Sequence, residues 1–132
     1  MTSSALRQAC PPGTCDCDRE ALLDDPTADA RILRLTLHEE KRLLARLESI
    51  ATLEELEHLQ KRMQEQLGIR LQIGPGLNEV RSMRGIGFQF APQPGLCRKT
   101  RKSIPTAIRR SLQSNPEIAY ALLNSQDLLR DA

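Results

Sequence analysis

The chain has 132 residues, a length that suits one domain, with 27% charged residues and a net charge of +2. Leu, Ile, Val and Phe make up 32 residues, or 24%, enough for a modest core and above the roughly 20% below which chains stay disordered. No apolar run approaches the roughly 18 residues of a membrane span. With Phe88, Phe90 and Tyr120 as the whole aromatic supply, stacking platforms for single strands and aromatic-lined pockets are poorly supported.

Residues 1–18 form a Pro- and Gly-containing stretch with no periodicity, which reads as a cysteine-rich loop. Met1 to Gln8 lacks the apolar stretch of a secretory signal, so the expected location is the cytoplasm, where cysteines serve as ligands or thiols rather than disulfides. Residues 19–68 read as a helical part. Arg19 to Leu23 makes a helical turn, and Asp25-Pro26 looks like a cap and first-turn proline opening a short helix to about Arg34. Thr36 to Glu39 and Thr52 to Glu55 are capping boxes, in which each threonine and glutamate can satisfy the other's N–H. They start helices over 37–50 and 53–67. The first carries Leu37, Leu43, Leu44, Leu47 and Ile50 on one side; the second carries Leu56, Leu59, Met63 and Leu67, with Gly68 as its C-terminal cap. Only Ala51 and Thr52 separate them, which predicts a tight antiparallel or sharply bent pair.

The period then changes. Ile69, Leu71 and Ile73 alternate with polar residues, as do Ile86, Phe88 and Phe90, so residues 69–91 read as a β-hairpin. Gly85 and Gly87 suggest a bulge or the close approach of another backbone. Residues 98–132 are a basic segment followed by helices, one opening at Ile104-Pro105 and another at Asn115-Pro116-Glu117 with Ile118, Leu122, Leu123 and Leu129. The expected class is α+β, mainly helical: a helix pair plus a small hairpin in one domain spanning 1–132.

Two features carry functional expectations. Cys10, Cys15 and Cys17 form C-x4-C-x-C, and Cys97 follows a second Pro/Gly loop. Four thiolates complete a Zn²⁺ site or an iron–sulfur cluster, and such a centre would staple the N-terminal loop to the middle of the chain. Zinc is the commoner structural choice, while three clustered ligands and one remote ligand equally suit a [4Fe–4S] cluster. Unrelated thiols or a redox pair are the other readings, because a single residue between two cysteines is not the usual zinc spacing. The second feature is charge asymmetry: residues 1–68 hold 13 acids and 9 bases, and residues 69–132 hold 4 acids and 10 bases. Arg98, Lys99, Arg101, Lys102, Arg109 and Arg110 lie within 13 residues without an acid, a composition suited to phosphate. The plainer reading is a solvated basic loop.

Catalysis is not expected. His38 and His58 fall on solvated helix faces, Asp24-Asp25 reads as a turn, and Gly74-Pro75-Gly76 matches no phosphate-binding loop. The leading expectation is a small cytosolic metal-site protein regulating transcription through DNA or other nucleic acid. The alternatives are an adaptor that meets a protein partner or a second copy through the 37–67 helices, and an iron–sulfur or redox-sensing protein. No membrane partner is expected.

Overall fold

The computed structural model describes residues 17–75 and 86–125. Its elements are α1 (Arg19–Asp24), a 3₁₀ turn (Arg31–Arg34), α2 (Leu37–Glu48), α3 (Leu53–Leu67), β1 (Leu71–Pro75), β2 (Ile86–Phe90), α4 (Arg98–Ser114) and α5 (Pro116–Ser125). The architecture is mainly helical with one small antiparallel sheet, as the periodicities imply.

Both expected threonine caps are in place, but they differ in completeness. Thr52 Oγ1 accepts from the Glu55 N–H at 3.2 Å, and Glu55 Oε1 accepts from the N–H groups of Thr52 and Ala51 at 3.1 and 2.8 Å. Thr36 makes only the forward half, accepting from the Glu39 N–H at 3.3 Å, while the Glu39 carboxylate turns to Arg42 at 3.6 Å. Gly68 ends α3 in the left-handed conformation, φ 73°. Beside it the last carbonyls of α3 find side-chain donors: Arg31 Nη1 donates to Glu65 at 2.8 Å and Gln93 Nε2 to Leu67 at 3.1 Å.

The helix pair departs from expectation. α2 packs chiefly along α4, and α3 lies against the 3₁₀ turn and α5, so the two are sharply bent rather than a side-by-side hairpin. The apolar stripe of α2 explains this: Leu47 and Ile50 are buried, and they face the α4 stripe of Ile104, Ala107, Ile108 and Leu112 within one continuous core. Ser111, buried on α4, donates its hydroxyl to the Leu47 carbonyl, and Asn115 Nδ2 donates to the Ile50 carbonyl at 3.2 Å. The expected helix from Pro26 is also absent. Asp25 Oδ1 instead accepts from the N–H and hydroxyl of Thr27 at 2.9 and 2.7 Å, a local turn that competes with helix initiation.

The hairpin is formed as read, with Leu71 opposite Phe90, Ile73 opposite Phe88 and Gly74 opposite Gly87. The register runs without a bulge, and Gly87 faces the other glycine rather than a foreign backbone. Gly85 and Leu129 lie outside the described residues.

Candidate nucleic-acid interface and cysteine junction

The largest difference from the sequence reading lies in the basic run. Residues 98–103 are not a loop: α4 begins at Arg98, with Cys97 as its N-cap, and Pro105 sits inside the helix. Proline favours the first turn because it lacks an N–H, which is why the helix start was placed at Ile104-Pro105. Packing decides otherwise. Thr100, Ile104, Ala107, Ile108 and Ser111 form one buried stripe against α2, and Thr100 Oγ1 donates to Glu40 Oε2 at 3.1 Å. On either side of the proline, hydroxyls bond the carbonyls four residues back, Ser103 to Lys99 at 2.8 Å and Thr106 to Lys102 at 2.9 Å.

Helical geometry then sorts the six cations. At about 100° per residue, Arg98, Arg109 and Lys102 fall within roughly 40° of one another, with Lys99 and Arg110 to one side and Arg101 to the other. The whole set covers the half of α4 opposite its buried stripe and extends about 16 Å along the axis. Arg98, Lys99, Arg101 and Lys102 are exposed, and the first turn of the helix has no acid. Four cations at the positive end of a helix dipole oppose the usual charge preference, so an anion there would be favoured by charge and dipole together.

The distal pair is engaged within the protein. Arg110 Nη1 lies 2.6 Å from Glu48 Oε2, and Arg109 sits over the Phe88 ring. Neither contact could be read from the sequence, since each joins residues far apart in the chain.

Two of the four candidate metal ligands, Cys10 and Cys15, lie outside the described residues. Cys17 and Cys97 are both buried, at 7% and 9% exposure. They belong to one junction, because the Gly95 N–H donates to the Cys17 carbonyl at 2.5 Å. Gly95 is required there by its φ of 90° and by its neighbours: a Cβ at this position would stand 2.6 Å from Ile32 Cγ2 and from Leu22 Cδ1. Among the described residues, no group of three or more His, Cys, Asp or Glu side chains is placed to hold a metal ion.

His38 and His58 are exposed, as read. A shallow cleft of about 390 Å³ where α2 meets α3 is lined by Arg46, Ser49, Thr52, Glu54, Glu55 and His58 among others. Its charges are mixed, and Glu55 is already used in capping. On α2 and α3 the one large apolar side chain left well exposed among the described residues is Leu37, at 58%. No helix among them is long and apolar enough to cross a membrane. Comparisons with protein-family models, curated proteins and solved structures find no match.

Proposed function

We propose that the protein binds the phosphate backbone of nucleic acid through the exposed half of α4, as a DNA-associated regulator. The observation that carries the reading is the arrangement of Arg98, Lys99, Arg101 and Lys102 on the first two turns of one helix, all exposed, with no acid in the first turn. Arginine forks and lysine point charges both suit phosphate, and a rigid helix presents them in fixed register. The adaptor reading has less support, because α2 spends its apolar stripe on α4 and leaves Leu37 as its main exposed contact.

The proposal includes a thiolate-bound soft metal, Zn²⁺ or an iron–sulfur cluster, held by Cys10, Cys15, Cys17 and Cys97. Its support is the burial of Cys17 and Cys97 at one junction, where the second cysteine is also the N-cap of the basic helix. A metal there would anchor the N-terminal segment to the start of α4.

Titrating a fluorescent DNA duplex with the full-length protein at several salt concentrations tests the reading. Neutralising about four phosphates gives a log–log slope of roughly −3.6. The triple variant Arg98→Glu/Lys99→Glu/Lys102→Glu should lose binding while its circular dichroism and unfolding midpoint stay near wild type, since exposed charges contribute little to stability. A wild-type protein with no affinity for duplex DNA or RNA at low salt, whether metal-loaded or not, overturns it. Elemental analysis and a visible spectrum of anaerobically purified protein test the metal separately.

A further inference from the structure

We infer that Cys17 and Cys97 are a redox couple: hydrogen peroxide joins them in a disulfide that clips the N-terminal segment to the first turn of α4. The inference deepens the proposed cysteine site by naming its regulation, and it rests on that reading only for the ion that oxidation would expel.

Three observations converge. Both residues are more than nine-tenths buried, so their sulfurs are held by packing rather than left to sample solvent. The Gly95-to-Cys17 backbone bond fixes the Cys17 main chain against the turn that leads into Cys97. That turn cannot slide, because Gly95 is wedged against Leu22 of α1 and Ile32 of the 3₁₀ turn. The chemistry of the site also has a direction. Cys97 is the N-cap of a 17-residue helix, followed at once by Arg98 and Lys99, with Arg101 and Lys102 in the next turn. A helix N-terminus and adjacent cations both favour the thiolate, which is the nucleophile in thiol oxidation.

The reaction balances with peroxide as the sole oxidant. The Cys97 thiolate attacks one peroxide oxygen and the O–O bond breaks. This gives a sulfenic acid at Cys97 and hydroxide, which takes a proton to become water. The Cys17 thiolate then attacks the Cys97 sulfur. The S–S bond forms, the S–O bond breaks, and the departing hydroxide becomes a second water. Two thiols and one hydrogen peroxide become one disulfide and two waters. Two of the four proposed metal ligands are consumed, so a bound ion loses half its donors and is released.

The test uses the full-length protein before and after removal of metal with a chelator. After addition of hydrogen peroxide and blocking of remaining thiols, peptide mass mapping should find the Cys17 and Cys97 peptides joined, about two mass units lighter than their sum. Because one tryptic peptide holds Cys10, Cys15 and Cys17, the assignment is made in the Cys10→Ser/Cys15→Ser variant. There the only possible intramolecular bridge is Cys17 to Cys97. Fragment-ion sequencing of the wild-type peptide provides the same assignment if that variant does not fold. Cys97→Ser should abolish the cross-link, and dithiothreitol should reverse it. A bridge in a protein that never held metal supports the couple and removes the metal part of the proposed function. Absence of the bridge in chelator-treated protein, or oxidation that joins Cys10 to Cys15 or one chain to another instead, overturns the couple and leaves the metal reading to stand on its own analysis.

Discussion

The guanidinium carbon of Arg109 lies 4.8 Å from the centroid of the Phe88 ring, so a cation from the basic face of α4 is held against β2. A cation–π contact at such a partly exposed site is worth about 0.5–1 kcal/mol. Arg109 and Lys102 therefore differ in what their charges do, although both fall near the centre of the exposed face. Replacing each by Gln removes the same charge. Arg109→Gln should lower the free energy of unfolding by about 0.5–1 kcal/mol. Lys102→Gln should leave stability near wild type and weaken duplex binding more. Equal losses of binding would mean that Arg109 leaves the ring for phosphate.

The Arg110–Glu48 pair leads to the opposite kind of prediction. The two side chains are 64% and 40% exposed, so their bond contributes at most about 1 kcal/mol. Glu48→Gln should therefore cost little stability, yet it releases a sixth cation on the binding face. The expected result is tighter duplex binding at low salt and a log–log salt slope steeper by about 0.9. Anisotropy titrations of the two proteins side by side provide the check.

The two threonine caps should not be equivalent. Thr52→Ala removes one half of a completed capping box and is expected to cost about 1 kcal/mol, whereas Thr36→Ala should cost about half that. Glu55→Ala should resemble Thr52→Ala, since Glu55 Oε1 serves the N–H groups of both Ala51 and Thr52. Urea unfolding followed by circular dichroism ranks the three.

Gly95→Ala should be the most damaging glycine substitution. The residue has φ 90°, and the new methyl would meet Ile32 and Leu22 at 2.6 Å inside the core. Strain and overpacking together are expected to cost about 2–4 kcal/mol. Gly68→Ala, with φ 73°, meets mainly the end of the Asp29 side chain and should cost about 1–2 kcal/mol. The Cys17–Gly95 junction should loosen in the first variant alone, visible as faster labelling of Cys17 and Cys97 by a thiol reagent.

Acid should weaken the α1–α3 side of the fold through Asp29. Hydrogen bonds from the Arg31 guanidinium and N–H hold its carboxyl at a pKa of about 2, below the ordinary 3.8. A carboxylate depressed in the folded state adds stability above its unfolded pKa and loses it as pH falls. The contribution is therefore whole above about pH 4 and gone below about pH 2. Asp29→Asn should flatten that part of the stability–pH curve and also unsettle Arg31, whose Nη1 bonds the Glu65 carbonyl. Urea midpoints measured between pH 5 and pH 2 for both proteins decide it.

What the sequence determined by itself is local. Thr52, Glu55 and Gly68 mark both ends of α3 because capping bonds and a left-handed terminus involve neighbours within one or two turns. The alternation around Ile73 and Phe88 marks the hairpin because a strand buries every second residue. The tertiary structure alone decided the rest. Pro105 argued locally for a helix beginning at residue 104, and the burial of Thr100 and Ile104 against α2 extended that helix back to Arg98. That extension turned a basic loop into the exposed face of a helix. The same long-range packing bent α2 away from α3, set Arg110 on Glu48 and Arg109 over Phe88, and fixed Cys17 beside the turn before Cys97. Local patterns fix where the chain can form helix or strand; burial of apolar surface between distant segments fixes which residues meet.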